Sequence, residues 1–127
     1  MVQKQSPHAI RRIEEVQQFL RTVEHVKKLV TELEGNRAAK ASIINGLCST
    51  IARELSQMRQ RALSANVGTL ADVAGSLAVI AGRQGTGLNM KIRALGDGVN
   101  SMMMQLDQSL KAARDQPEKP DTGKPPS

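Results

Sequence analysis

Residues 6–36 read SPHAIRRIEEVQQFLRTVEHVKKLVTELEGN, and this stretch decides the fold. Its apolar residues recur at steps of three and four over about seven turns, which is the periodicity of an α-helix. Ser6-Pro7 is typical of a helix start and Gly35-Asn36 of a helix end. The apolar stripe is wide, which favours a bundle helix with two neighbours over a two-stranded coiled coil. It consists of Ile10, Ile13, Val16, Phe19, Leu20, Val23, Val26, Leu29, Val30 and Leu33.

The same periodicity runs through residues 36–64 and predicts a second helix that begins near Asn36. Only one or two residues then separate two long helices, so we expect an antiparallel hairpin. Val23 and Ile51 are its predicted core positions. Gly46 lies inside the pattern without shifting its phase, so we interpret it as a tolerated glycine. The apolar positions are Ile44, Leu47, Cys48, Ile51, Leu55, Met58 and Ala62.

The second half of the chain predicts two further helices. Thr69 is typical of an N-cap, and the short helix after it, with Leu70, Val73, Leu77 and Ile80 inward, is expected to end at Gly82. After a glycine-rich loop, a fourth helix is predicted from Leu88 to Ala113. Its inward residues are Leu88, Ile92, Leu95, Val99, Met102, Leu106 and Leu110.

These patterns predict an all-α fold in which the hairpin and two further helices form one four-helix-bundle-like domain over residues 7–114. Residues 1–6 and the proline-rich segment 115–127 offer little apolar surface to bury, so we expect both to be disordered.

Composition excludes several classes of protein. The 127 residues are enough for one domain, and Phe19 is the only aromatic residue. The lack of aromatic residues argues against a β-sandwich. It also leaves no aromatic rings on which single-stranded nucleic acid, sugars or flat cofactors could stack. The one cysteine, Cys48, cannot form an intramolecular disulfide or a cysteine-based zinc site. With two histidines and no recognisable catalytic set, we expect no enzyme activity, no bound metal and no cofactor.

Charge and hydropathy bear on location and partners. The first eight residues carry no apolar stretch, and no run approaches the roughly 20 apolar residues that cross a bilayer. We therefore expect a cytoplasmic protein without a transmembrane segment. The net charge of +6 permits nucleic-acid binding without requiring it. Candidate phosphate contacts on the first two helices are Lys40, Arg53, Arg59 and Arg61, although a solvated bundle face explains the same residues.

A glycine-rich segment, Gly82-x-x-Gly85-x-Gly87, precedes a helix that carries Lys91 and Arg93 in its first turns. Backbone amides at such a helix start can bind a phosphate. The spacing matches neither the dinucleotide fingerprint nor the Walker A motif, so a plain loop between helices is the favoured interpretation.

Three consecutive methionines, residues 102–104, point about 100° apart on a helix and cannot converge on one metal ion. We predict that Met102 and Met103 lie in the core and Met104 at its rim. Methionine beside glycine makes a compliant contact surface for another helix. Gly96, Gly98, Met102 and Met103 are therefore the candidate partner contacts, with the two glycines marking a close approach or a bend.

The leading functional hypothesis is a non-enzymatic interaction protein, such as a scaffold, adaptor or regulatory subunit, that acts through helix-to-helix contacts. A small core with almost no aromatic residues is often completed by association, so we expect a homo-oligomer, foremost a two-fold dimer. The alternative is a small basic protein that binds nucleic acid through its first two helices. A third hypothesis is a phosphate site in segment 82–93.

Overall fold

The computed structural model describes residues 7–65, 67, 69–83 and 87–115, and these residues form four α-helices and no strand. The helices are α1 (Pro7–Gly35), α2 (Ala41–Ala65), α3 (Leu70–Gly82) and α4 (Leu88–Asp115). The all-α prediction is confirmed. The predictions for residues 1–6, for Gly85 and for residues 116–127 of the predicted tail lie outside the described residues. Asp115, which was predicted to belong to the disordered tail, is instead the last residue of α4.

The helices occupy the corners of a square. Helix α1 packs against α2 and α4, and α3 packs against the same two helices, whereas no Cα atoms of the diagonal pairs approach within 8 Å. The pairs α2/α3 and α1/α4 pack most closely. The first two helices are antiparallel, because Arg12 at the start of α1 donates a hydrogen bond to the carbonyl of Ala65 at the end of α2, at 3.3 Å.

The link between α1 and α2 is longer than predicted. Helix α2 begins at Ala41 rather than near Asn36, and residues 36–40 form a turn. Asn36 ends the first helix instead of starting the second, since its side-chain amide donates to the carbonyl of Glu32 at 2.7 Å. Its own carbonyl accepts from the Ala39 amide at 2.9 Å. A five-residue link still permits the antiparallel hairpin.

The core is a single cluster of mostly aliphatic and methionine side chains, with Phe19 and Cys48, to which all four helices contribute. Val23 and Ile51 are fully buried, as predicted. The largest side chains with almost no exposed surface are Leu33, Ile51, Leu55, Met58, Leu70, Leu95, Met102 and Leu106.

Small residues explain the close packing of α2 and α3. Ala71, Gly75, Ala78 and Gly82 recur at steps of four and three, so they share one side of α3. A Cβ atom added at Gly75 would lie 2.9 Å from Cδ of Arg59, and one at Gly82 would lie 3.9 Å from Cβ of Ala52. Side chains of this size let the two backbones approach each other.

Helix α3 begins directly after Thr69, but the predicted side-chain cap is wrong. The Thr69 side chain makes no capping hydrogen bond, and its hydroxyl instead donates to the side-chain oxygen of Gln105 at 3.1 Å. This contact ties the start of α3 to α4. Leu70 and Leu77 are buried as predicted, whereas Val73 and Ile80 are half-buried because three alanines fill the remaining inward positions, Ala71, Ala74 and Ala81.

Candidate functional site

The two glycines of α4 lie against different neighbours. A Cβ atom at Gly98 would lie 2.4 Å from Cδ2 of Leu77, so α4 passes close to α3 at this residue. A Cβ atom at Gly96 would meet nothing within 4 Å. Gly96 instead lines a groove between α4 and α1. The predicted close approach is therefore found at Gly98, inside the bundle, and Gly96 leaves open space.

This groove, which we name the α1–α4 groove, encloses about 390 Å³ between the second half of α1 and the first half of α4. Val30, Ile92 and Val99 contribute apolar surface to its lining. Its walls are polar, because a stripe of polar residues on α1, continued by Arg37 in the following turn, faces a stripe of polar residues on α4. These wall residues are Lys27, Thr31, Glu34 and Arg37 on one side and Asn89, Arg93, Asp97 and Asn100 on the other.

Three charges of the α1–α4 groove have no ionic partner. Glu34 pairs with Arg37 at 3.3 Å. Lys27, Arg93 and Asp97 form no ion pair within 4.0 Å with any described residue. Among the described residues, the groove therefore presents to a ligand two cations and one carboxylate without an ion pair.

Met102 is buried as predicted, but Met103, which was predicted to lie in the core, is only partly buried against it. Met102 is fully buried in the core, so a partner cannot reach it while the bundle is closed. Met103 is half-buried and lines a recess of about 380 Å³ beside Lys27 and Lys28. Met104 is 62% exposed.

A fourth methionine extends this surface. Met90 is 72% exposed, and the fourteen positions between it and Met104 are about four helical turns, so both side chains lie on the outer side of α4. We name Met90, Met103 and Met104 the α4 methionine face, in which Met90 and Met104 lie on the outer side of α4 and Met103 lies at its edge toward α1. Of the predicted partner contacts, it includes Met103 only.

The four candidate nucleic-acid contacts do not share one face. Arg53 is exposed on the outer side of α2, and Lys40 lies in the link before that helix. Arg59 lies over Gly75 on the α3 side. Arg61 lies on the α1 side, where its guanidinium carbon is 5.8 Å from the centre of the Phe19 ring and its Nη2 donates to the Thr22 hydroxyl at 3.1 Å.

The phosphate hypothesis for segment 82–93 needs Lys91 to be accessible to a ligand, but this lysine is buried. Lys91 is only 9% exposed, and its ammonium group donates to the carbonyl of Arg83 at 2.9 Å and lies 3.9 Å from the sulfur of Cys48. It fills the space beyond the end of α3 and stabilises that end. Arg93 lies on the other side of α4, in the α1–α4 groove. The two cations therefore lie on different sides of α4 and do not converge on one site.

Sequence reasoning missed the α1–α4 groove, although a signal was present. Asn89, Arg93, Gly96 and Asn100 recur at steps of four, three and four, which is a polar stripe beside the apolar one. What the pattern could not show is that this stripe faces Lys27.

Two structural findings concern metal binding and membrane-spanning helices. Among the described residues, no three or more histidine, cysteine or acidic side chains lie close enough together to hold a metal ion. None of the helices in those ranges combines the length and the apolar character needed to cross a membrane.

No protein family model, no curated protein and no solved structure matches this chain. Function must therefore be inferred from the residues and the geometry of the chain itself.

Proposed function

We propose that this chain is a non-enzymatic interaction protein that acts through helix-to-helix contacts and associates with a second copy of itself. The observation that carries the proposal is the α4 methionine face. Exposed methionine side chains on one helix can serve as a contact surface, because methionine adapts to the shape of a partner helix.

The surroundings of Met103 support a helix as the partner. An apolar side chain at the base of a recess with charged residues at its rim is typical of a groove that accepts a helix. The rim consists of Glu24, Lys27, Lys28 and Thr31.

The rim charges also favour a second copy of the chain over an unrelated partner. Glu24 and Lys28 are both exposed and stand one helical turn apart on α1. A two-fold axis that brings two α1 helices together in antiparallel orientation places Lys28 of each copy against Glu24 of the other. A surface with this charge order is complementary to itself.

Sedimentation equilibrium of charge variants tests the proposal. Met104→Glu places a carboxylate on the α4 methionine face and should weaken self-association at least tenfold. The matched control is Val79→Glu, because Val79 is 58% exposed but belongs to α3. Equal dimer affinity of the two variants would contradict the assignment of this face.

A cytoplasmic location is part of the proposal. The single cysteine, Cys48, is buried and free, which fits a reducing compartment.

Nucleic-acid binding is the second candidate function; the net positive charge of α2 supports it, with Arg53 as the arginine that faces neither α1 nor α3 in the contacts above. This helix carries Arg53, Arg59 and Arg61 but only one acidic residue, Glu54. Phosphate contacts require cations without competing carboxylates.

A salt titration of binding to a labelled DNA duplex tests this candidate. Phosphate-driven affinity falls steeply with salt, and Arg53→Glu should reduce it far more than the matched change Arg21→Glu on α1. An affinity that does not change with salt concentration, or that falls equally in both variants, would argue against α2 as a nucleic-acid surface.

A further inference from the structure

We propose that the α1–α4 groove is a binding site for a small phosphorylated polyol of the size of a sugar phosphate. The site depends on Lys27, Arg93 and Asp97 and not on the exposed Met90 and Met104. Lys27 and Thr31 also line the recess beside Met103, so Arg93→Ala, which leaves that recess intact, distinguishes this site from the proposed function.

The unpaired cations favour a phosphate group. Lys27 and Arg93 line the same groove and have no ionic partner among the described residues. A phosphate monoester carries a charge of about −1.5 to −2 at neutral pH, which matches two cations. Arginine binds phosphate oxygens through its planar set of N–H donors, and lysine adds a mobile point charge.

The remaining polar groups favour hydroxyl groups on the ligand. Asp97 is an unpaired acceptor, and Thr31, Asn89 and Asn100 supply both donors and acceptors. The carboxylate of Asp97 would repel a second phosphate but can accept hydrogen bonds from hydroxyls. The groove is thus suited to one phosphate joined to a hydroxylated carbon chain or ring.

The lining argues against a nucleotide. The one aromatic residue of the chain, Phe19, lies on the α2 side of α1, beside Arg61, so a base in the groove would have no ring to stack on. A polyol needs no such ring, because charge and hydrogen bonds carry its recognition.

Size and access are also suitable. A volume of about 390 Å³ falls within the range of small-molecule sites, roughly 300–1,000 Å³. Gly96 leaves the backbone of α4 open, because no atom lies within 4 Å of the position a Cβ would take. A ligand can therefore come closer to this helix than a side chain at residue 96 would allow.

Isothermal titration calorimetry of the full chain with glucose 6-phosphate tests the proposal, with glucose and inorganic phosphate as separate titrants. We expect glucose 6-phosphate to bind at least tenfold more tightly than either. Lys27→Ala and Arg93→Ala should each weaken binding at least tenfold. Arg53→Ala, a matched loss of an exposed arginine on α2, should leave the affinity unchanged.

A further variant distinguishes loss of the binding site from loss of folding. Gly96→Leu removes a helix-weakening glycine and fills the groove, so it should fold and lose glucose 6-phosphate binding. Met104→Glu should bind the ligand normally, whatever its effect on self-association.

Three results would overturn the proposal: no binding of glucose 6-phosphate at about 10 mM, equal affinity for inorganic phosphate, or equal losses in Arg53→Ala and Lys27→Ala.

Discussion

Alanine at Gly98 should destabilise the protein, whereas alanine at Gly96, two residues earlier on the same helix, should stabilise it. Both residues lie in the interior of α4, so each change gains about 1 kcal/mol of helix propensity. The difference comes from what the new methyl group meets. At Gly96 it meets nothing within 4 Å, and at Gly98 it would lie 2.4–2.8 Å from three side-chain atoms of Leu77.

The magnitude of the Gly98 effect follows from this overlap. Carbon atoms are in optimal contact at about 3.5–4.0 Å, so Leu77 has to move by roughly 1 Å. Leu77 is buried and surrounded by core residues, which limits that movement. Overpacking of a core commonly costs about 1–3 kcal/mol, and we expect the upper end here. When the gain in helix propensity is subtracted from this cost, the free energy of unfolding should fall by about 2 kcal/mol for Gly98→Ala. It should rise by about 1 kcal/mol for Gly96→Ala.

Thermal and urea unfolding of the two variants measure this difference. A change of 1 kcal/mol corresponds to about 4 °C in Tm for a domain of this size. We therefore expect Tm to rise by about 4 °C for Gly96→Ala and to fall by about 8 °C for Gly98→Ala. In a Leu77→Ala background the penalty at Gly98 should disappear. Stabilisation by both glycine changes in the wild-type background would refute the close approach of α4 to Leu77.

Three further predictions concern stability. Val23→Asp should prevent folding, because an unpaired charge at a fully buried position costs several kcal/mol; a cooperative melt near the wild-type Tm would show that this position is not in the core. Lys91→Ala should lower the free energy of unfolding in urea by about 2 kcal/mol, since the carbonyl of Arg83 loses its charged donor; an unchanged midpoint would mean that this hydrogen bond contributes nothing. Gly75→Ala should change Tm by only a few degrees, because the Arg59 side chain that the new methyl group would contact is exposed and can move away. A fall in Tm as large as that of Gly98→Ala would show that Arg59 is held in place.

Much of the fold could be predicted from apolar periodicity, because each helix buries one stripe. Periodicity does not locate the start of α2, because the side chain of Asn36 donates back to the carbonyl of Glu32 and residues 36–40 form a turn before Ala41. The burial of Lys91 was not predictable, since a lysine near a helix start is normally exposed. It is buried here because its long side chain lies beyond the end of α3 at Gly82, where its ammonium group donates to the carbonyl of Arg83.

The candidate site was less predictable than the fold. Lys27 and Arg93 are far apart in the sequence, and the α1–α4 groove exists only because those two helices are neighbours in the square. Gly96 and Gly98 are alike in sequence, yet their two-residue separation turns them toward different neighbours. Periodicity shows which residues of a helix share a side but not which helix that side will face.

The central claim is that the chain pairs with a second copy of itself, and the most direct test is the molar mass of the wild-type protein in solution. Light scattering should be measured on a size-exclusion column over a dilution series from about 100 μM downward. We predict a mass of twice 13.7 kDa at the highest concentration that falls toward 13.7 kDa on dilution. A mass of 13.7 kDa at every concentration would contradict the claim.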